Sequence, residues 1–217
     1  MTTVRVKICG ITRKMDLFAA ADAGADAVGF VCDVPCSPRN LSLSEAEKLI
    51  SRTPPFVKRV LVTVPRDIEE LEKICDRLNP DAVQIHGEKF SDDRDILERI
   101  SGTVIIREVK ANLKEAMAKA LKASRTFDAI LLDSFAQGKD GGTGVIHDWR
   151  LSREIRLNIK PKPLILAGGL DPENVSEAVR TVQPYGVDVS SGVEKQPGIK
   201  SKEKIISFIK NAKDVEI

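Results

Sequence analysis

Eight short apolar runs, each followed by a longer amphipathic segment, alternate along the whole 217-residue chain. Several runs are nearly continuous Val, Ile and Leu, which is typical of parallel strands covered on both faces. The predicted strands are Val4–Cys9, Ala27–Val31, Val57–Val64, Ala82–Ile85, Val104–Val109, Ala129–Asp133, Pro163–Ala167 and Val187–Ser190. Eight strand–helix units predict a single-domain α/β protein, a (β/α)8 TIM barrel that spans residues 1–217. A doubly wound open sheet is the alternative, although it usually has fewer strands.

The starts of several helices are predicted from capping residues. They are a capping box of Ser44 with Glu47, N-caps at Asp67, Ser91 and Asn112, and a cap at Asp171 followed by Pro172 at the first helical position. The last helix is expected from about Lys200 to about Lys213.

The charged residues nearly balance, with 34 Lys and Arg against 32 Asp and Glu and a formal net charge of +2. This balance does not favour nucleic acid or an anionic membrane as a partner. The longest apolar runs fall far short of the roughly 20 residues that a membrane helix needs. The N-terminus lacks the apolar stretch and the cleavage site of a signal peptide. We therefore expect a cytoplasmic protein, a monomer or a homodimer, that acts on a small molecule.

The chain has four irregularly spaced cysteines, at Cys9, Cys32, Cys36 and Cys75. Irregular spacing in a chain of this size favours free thiols in a reducing cytosol over a disulfide scaffold. Cys32 and Cys36 have the spacing of half a zinc site. The other candidate ligands, including His86 and His147, are scattered singly, so the second half is missing and no bound metal is expected.

In a barrel of this kind the active site lies on the loops that follow the carboxyl ends of the strands. Arg39 follows Pro38, which stiffens the loop after the second strand, and its guanidinium could bind a carboxylate through two hydrogen bonds. A surface arginine is the plainer interpretation. His86 follows the fourth strand and is a candidate for lining the site, although a histidine there is more often structural.

Cys9 and Asp133 are candidates for a general base and a general acid. An isolated cysteine is by default a small buried hydrophobe, but Cys9 ends a strand and is followed by Gly10. With a thiol pKa near 8.5, a few per cent is thiolate at pH 7, so modest tuning would make a usable base. Asp133 follows an apolar run, and desolvation there would raise its pKa and keep it partly protonated. A helix cap or a salt bridge is the alternative for Asp133. The pair indicates a proton-transfer site.

Three glycine-rich turns follow the last three predicted strands, at Gly141–Gly144, Gly168–Gly169 and Ser191–Gly192. Glycine lets backbone N–H groups approach an anion without obstruction by a side chain. The loops after the seventh and eighth strands are the usual phosphate site of such barrels. Each turn alone is ordinary, but together they predict a phosphate site formed mainly by backbone groups.

The chain resembles the phosphoribosylanthranilate isomerase family in a series of motifs that occur in the same order. They are KICGIT at Lys7–Thr12, SPR at Ser37–Arg39, VQIHG at Val83–Gly87, LLDS at Leu131–Ser134, GGTG at Gly141–Gly144, LAGGL at Leu166–Leu170, PENV at Pro172–Val175 and VDVSSGVE at Val187–Glu194. The resemblance covers nearly the whole chain and is specific because of the order and number of the motifs.

The resemblance implies that Cys9 is the general base, that Asp133 is the general acid and that Arg39 holds the carboxylate of an anthranilate group. The implied phosphate ligands are Gly142, Gly144, Gly168, Gly169, Ser191 and Gly192. The implied reaction is an Amadori rearrangement of N-(5-phosphoribosyl)anthranilate to 1-(2-carboxyphenylamino)-1-deoxyribulose 5-phosphate, a step of tryptophan biosynthesis. The protonated imine of this phosphosugar substrate is its own electron sink, so no metal or organic cofactor is implied.

Two departures from the family pattern concern the rim of the site. His147 stands where the family usually has an aromatic residue, and the loop Cys32–Cys36 lacks the usual aromatic and basic residues. The alternatives are another phosphosugar-binding barrel enzyme and a non-catalytic phosphate-binding regulator. The ends of strands two and three, Gly29–Val31 and Val62–Val64, lack the lysines that indole-glycerol-phosphate synthase uses. Two histidines are few for a metal-dependent ribulose-phosphate epimerase, and the aminoimidazole isomerase of histidine synthesis has an aspartate in place of Cys9.

Overall fold

The computed structural model describes residues 3–87, 89–90, 95–111, 115–133 and 148–216. Its barrel strands are β1 (Arg5–Ile8), β2 (Ala27–Cys32), β3 (Lys58–Thr63), β4 (Ala82–Ile85), β5 (Val104–Lys110), β6 (Ala129–Asp133), β7 (Leu164–Ala167) and β8 (Gly186–Val189). The helices of these ranges are α1 (Lys14–Asp22), α2 (Leu43–Ile50), α3 (Ile68–Leu78), α4 (Asp95–Arg99), α5 (Ala116–Ser124), α6 (Trp149–Asn158), α7 (Val175–Val182) and α8 (Lys202–Lys213). Short additional strands are Asn40–Leu41, beside β2, and an antiparallel pair, Glu194–Gln196 with Ile199–Lys200.

The sheet closes into a barrel because β1 pairs with both β2 and β8. Lys7 lies opposite Ala27 on one side and opposite Asp188 on the other, and both pairings are parallel. The other barrel strands pair in chain order from β2 to β8. The expected (β/α)8 barrel is therefore confirmed. The open doubly wound sheet is excluded, since an open sheet would leave an edge on β1.

Successive residues of each strand point alternately into two cores. The outer core lies between the strands and the helices and includes Val6 and Ile8 of β1. The inner core fills the barrel with mostly small or β-branched side chains, namely Cys9, Val31, Val60, Val62, Ala82, Ile106, Ala129, Leu131 and Ala167. Because strand side chains alternate with a period of two, Lys7 shares the inner face with Cys9. The barrel interior therefore contains charged side chains as well as apolar ones.

The strands are predicted well, since each one is found within one residue of its expected bounds. The predicted capping box of α2, Ser44 with Glu47, is wrong, because the box is formed by Ser42 with Glu45. Ser42 has the extended backbone that an N-cap requires, whereas Ser44 already lies inside the helix. Asp67 caps α3 as expected.

The helix after Asp171 begins later than predicted. The Asp171 carboxylate caps a turn by accepting from two backbone N–H groups, and α7 starts only at Val175. The last helix likewise starts slightly late, after the N-cap Ser201. The caps expected at Ser91 and Asn112 lie outside the described residues.

Within the described ranges, no helix has the length and apolar character needed to cross a membrane. In the same part of the chain, no three His, Cys, Asp or Glu side chains converge in a group that could hold a metal ion. All four cysteines are free thiols, and Cys36 is the exposed one.

Candidate active site

A cavity of about 310 Å³ opens at the mouth formed by the carboxyl ends of the strands. The sequence-predicted residues that line it are Cys9, Arg39, His86, Asp133, Gly168, Gly169 and Ser191. Gly192 lies beside this cavity, next to Ser191 in the wall of a neighbouring cavity of about 390 Å³. The expected phosphate ligands Gly142 and Gly144, and His147 at the rim, lie outside the described residues. The barrel thus brings every described candidate to one mouth.

Cys9 follows β1 directly and borders the cavity. Its backbone N–H donates to the carbonyl oxygen of Val189 at 2.8 Å, which continues the ladder between β1 and β8. The next residue, Gly10, has a φ of +73°, and a Cβ there would lie 2.5 Å from Cδ of Arg39. Glycine is therefore required at position 10, both for the turn of the backbone and for the close approach of Arg39.

Burial and three nearby charged side chains determine the electrostatic surroundings of Cys9. Burial raises the pKa of the Cys9 thiol above its ordinary value. The ammonium groups of Lys7 and Lys200 oppose this increase, and the carboxylate of Asp188 adds to it. In the protein by itself, burial therefore favours the thiol form of Cys9. The interior that positions the side chain also removes the water that would solvate a thiolate.

A chain of hydrogen bonds crosses the barrel interior near Cys9. The Lys7 ammonium donates to Oδ2 of Asp188 at 2.8 Å and to Oε1 of Gln84 at 2.7 Å. The side-chain nitrogen of Gln84 is 2.6 Å from Nε2 of His86. An ammonium can only donate, so the oxygen of Gln84 faces Lys7 and its NH2 group donates to His86. The His86 ring is therefore a neutral imidazole with its proton on Nδ1.

The ionisation of His86 agrees with this hydrogen-bond pattern. Burial lowers the pKa of His86 to about 4, and the positive charges of Lys7, Arg107 and Lys110 lower it as well. Oε2 of Glu108 lies 3.9 Å from Nδ1, on the protonated side of the ring. At pH 7, His86 is a neutral part of the cavity wall and has no acidic proton to give.

Arg39 is oriented by a carboxylate from the far end of the chain. Its Nε donates to Oε1 of Glu194 at 2.8 Å and its Nη2 donates to Oε2 at 2.6 Å. Glu194 is also paired with the buried ammonium of Lys200 at 2.9 Å. One edge of the guanidinium is thus occupied. A guanidinium has a second pair of parallel N–H groups, on Nη1 and Nη2, and this end-on pair can still bind a carboxylate with two hydrogen bonds.

Asp133 ends β6, and its half-buried side chain borders the same cavity as Cys9. Its backbone carbonyl accepts from the N–H of Ala111 at 2.7 Å, which anchors this end of the strand. Two strands, β7 and β8, separate β6 from β1 around the barrel. The two candidate proton-transfer groups therefore face the same cavity from different sides.

The turns after β7 and β8 pack closely together. Gly168 and Gly169 have φ values of +85° and +66°, which residues with a Cβ rarely adopt. Gly192 lies in the short 3-10 turn Ser191–Val193, and a Cβ there would be 2.0 Å from the carbonyl oxygen of Leu170. Glycine at these positions lets the two turns approach each other and leaves their backbone N–H groups unobstructed for an anion.

Four charged residues that surround the candidates were not predicted from the sequence, namely Lys7, Asp188, Glu194 and Lys200. Lys7 and Asp188 each stand two residues before a cavity-lining side chain, Cys9 and Ser190 respectively. The two-residue alternation of strand side chains could have identified them. Nothing local in the sequence pairs Glu194 with Arg39.

A closed barrel with a thiol, a carboxyl group, a guanidinium and glycine turns around one mouth defines the class of (β/α)8-barrel enzymes. A family model described as N-(5'phosphoribosyl)anthranilate (PRA) isomerase matches residues 6–211. The N-(5'-phosphoribosyl)anthranilate isomerase of Haloferax volcanii is 43% identical over 210 residues, covering 96% of this chain and 93% of that protein. The chain belongs to the N-(5'-phosphoribosyl)anthranilate isomerase family.

Solved structures agree with this assignment. The phosphoribosyl anthranilate isomerase of Thermotoga maritima has a TM-score of 0.86 and 40% identity, covering 98% of this chain and 100% of that chain. A phosphoribosyl anthranilate isomerase in complex with reduced 1-(o-carboxyphenylamino)-1-deoxyribulose 5-phosphate has a TM-score of 0.82 and 39% identity, with the same coverage.

Proposed function

We propose that this protein isomerises N-(5'-phosphoribosyl)anthranilate to 1-(2-carboxyphenylamino)-1-deoxyribulose 5-phosphate, a step of tryptophan biosynthesis. The observation that carries the proposal is the convergence of Cys9, Arg39 and Asp133 with the glycine turns on one cavity. Family membership and the related complex with a reduced form of the product support the same substrate class.

Two anionic ends would hold the substrate across the mouth. The turns at Gly168–Gly169 and Ser191–Gly192 would bind the phosphate through backbone N–H groups, together with Gly142 and Gly144. The end-on N–H pair of Arg39 would bind the anthranilate carboxylate, because Glu194 holds the other edge of the guanidinium. His86 would line the wall as a neutral acceptor. With both ends bound, the ribose ring lies between the acid and the base.

The reaction requires two proton transfers at the ribose. Asp133 protonates the ring oxygen, the bond from that oxygen to C1′ breaks, and a protonated Schiff base forms with the anthranilate nitrogen. Cys9 removes the proton from C2′, and the electron pair moves into the imine to give an enolamine. Tautomerisation of the enolamine gives the aminoketose, so substrate and product are isomers and no electrons leave the molecule.

The raised pKa of Cys9 in the protein by itself is compatible with this role. The protonated Schiff base carries a positive charge, and a cation close to a thiol favours the thiolate. The base would thus become stronger at the step that needs it. The proton of C2′ is also most acidic in the same intermediate, because the imine accepts the electron pair.

The rival functions make different demands on these residues. A non-catalytic phosphate-binding regulator needs the glycine turns but neither Cys9 nor Asp133 at the mouth, so the presence of both favours an enzyme. A phosphosugar enzyme that uses barrel lysines would need them at the ends of β2 and β3, where the sequence has Cys32 and Thr63.

We further propose that residues 1–217 act as one catalytic domain on this small molecule. The free state of all four thiols supports a cytoplasmic location. A Thermotoga maritima relative is described as dimeric, so a monomer and a homodimer are the two assemblies to separate, by light scattering of the purified protein.

The direct test is to mix the purified protein with phosphoribosylanthranilate and to follow the loss of its fluorescence. Turnover is expected with wild-type protein and a decrease by about 10²–10⁴-fold with Cys9→Ala, because one positioned proton-transfer group is lost. The Cys36→Ser variant is the matched control, since Cys36 is exposed. Activity of Cys9→Ala within about threefold of wild type would remove Cys9 from the mechanism.

A further inference from the structure

Lys7 and Cys9 occupy the same small volume inside the barrel. Both lie on the inner face of β1, and both face Gly29 of β2. A Cβ at Gly29 would be 2.8 Å from Sγ of Cys9 and 3.1 Å from Cε of Lys7. The absence of a side chain at position 29 is what lets the lysine and the thiol share this space.

Lys7 is almost completely buried, yet it remains charged. Burial by itself lowers the pKa of Lys7, but the carboxylate of Asp188 and the sulfur of Cys9 together outweigh this effect and the pKa is raised. The salt bridge to Asp188 measures 2.8 Å, and both side chains are only 6% exposed. A buried ion pair rarely stabilises a fold more than well-packed apolar side chains would. Stability alone therefore does not account for a lysine at this position.

The carboxylate of Asp188 does not use all of its hydrogen-bonding capacity. Its Oδ2 accepts from Lys7, whereas its buried Oδ1 has no hydrogen-bond partner among the described residues. Two hydrogen bonds fix the position of the Lys7 ammonium group, one to Asp188 of β8 and one to Gln84 of β4. Lys7 is thus a positive charge held at a defined place beside the thiol.

We infer that Lys7 is a positioning residue that holds a fixed positive charge next to Cys9 and so stabilises its thiolate. Asp188 orients this ammonium group, and its negative charge partly offsets the effect of Lys7 on the thiol. The inference rests on the proposed role of Cys9 as the base. Lys7 does not touch the substrate in this scheme and acts only through its contact with Cys9.

Other charged or titratable groups also face Cys9, and the test must leave them unchanged. They are Lys200 and Arg39, both tied to Glu194, together with Asp133 and His86 in the wall of the same cavity. Each of these groups is unchanged in variants of Lys7 and Asp188. A difference between the two variants therefore reports on the buried pair alone.

The experiment removes each charge of the pair in turn, with Lys7→Met and Asp188→Asn in a Cys36→Ser background. The rate of alkylation of Cys9 by iodoacetamide is measured at pH 8 by peptide mass spectrometry. Burial raises the pKa of Cys32 to about 11 and of Cys75 to about 12, so these thiols react slowly. The acid limb of kcat/KM is followed in parallel.

The two variants should change the reactivity of Cys9 in opposite directions. Lys7→Met should slow alkylation at least threefold, because a tenfold loss of thiolate is partly offset by its higher nucleophilicity. Asp188→Asn should speed alkylation, because it removes a negative charge beside the thiol, and the ammonium, still held by Gln84, then has the thiolate of Cys9 as its counter-ion. Lys7→Arg, which keeps the positive charge, should retain most of the reactivity of Cys9 that Lys7→Met loses. General damage to the structure would instead change both variants in the same direction.

Unchanged alkylation in Lys7→Met, or changes of the same sign in both variants, would overturn the inference. If Lys7→Met fails to fold, Asp188→Asn still shows the sign of the change in the alkylation rate. The double variant Lys7→Met/Asp188→Leu removes the ion pair without leaving an unpaired buried charge. Alkylation of Cys9 should also be slower in this double variant. The outcome is separate from that of the proposed function, because Cys9→Ala turnover tests the base and alkylation tests its charge environment.

Discussion

Gly192→Ala is the substitution whose effect follows most directly from the structure. The added Cβ would lie 2.0 Å from the carbonyl oxygen of Leu170, 3.0 Å from its carbonyl carbon and 3.1 Å from Cα of Asp171. All three atoms belong to the backbone, so no side chain can rotate away. Ordinary van der Waals contacts are 3.4–4 Å, so the turns after β7 and β8 must separate by more than 1 Å. A displacement of this size at a binding site can lower the rate by about 10²-fold.

The assay compares kcat/KM and the affinity for a product analogue with and without its phosphate. Gly192→Ala should weaken binding of the phosphorylated analogue at least tenfold and leave binding of the dephosphorylated one nearly unchanged, because in the proposed site only the phosphate would contact the displaced turns. Gly24→Ala is the control. Its Cβ meets nothing within 4 Å, although its φ of +92° adds backbone strain. If Gly192→Ala binds the phosphorylated analogue within threefold of wild type, the two turns do not form the phosphate site.

Three further substitutions test the other side chains of the mouth. Asp133→Asn should fold and bind a product analogue within roughly tenfold of wild type, yet lose turnover by about 10² or more, since an amide cannot transfer the proton; normal turnover would leave the acid unidentified. Arg39→Ala should weaken binding of a product analogue at least tenfold but not binding of the same analogue without its carboxylate. Arg39→Lys should recover little of this affinity, because lysine lacks the end-on N–H pair. An equal loss of affinity for both analogues would show that Arg39 does not bind the carboxylate. For His86, the folded pKa of about 4 lies below the ordinary value of about 6.5, so only the unfolded chain gains the proton between these values. The free energy of unfolding should therefore fall as the pH falls through this window, by up to about 3 kcal/mol. Urea unfolding at pH 7 and 4.5 should show a smaller fall in His86→Gln, and an equal fall would mean that His86 titrates normally in the folded state.

The strands and the candidates at their ends could be predicted because the relevant information is local. The two-sided burial of parallel strands produces continuous apolar runs, and the residue after each run must lie at the mouth once the barrel closes. The positions of Cys9, Asp133, Gly168 and Ser191 at the mouth could be predicted in this way. The capping box of α2 was missed by two residues, since Ser42 and Ser44 are both suitable cap residues and only the backbone angles distinguish them.

The sequence alone determined the barrel, the ends of its strands and the candidate side chains that follow them, because strand periodicity and parallel connectivity are properties of short segments. Only the tertiary structure decided the charge state of the site. Barrel closure brings Lys7 to Asp188 across 181 positions of the chain, and Arg39 to Glu194 across 155. The pKa of Cys9 depends on these distant partners and on the exclusion of water, and both come into being only when β1 meets β8.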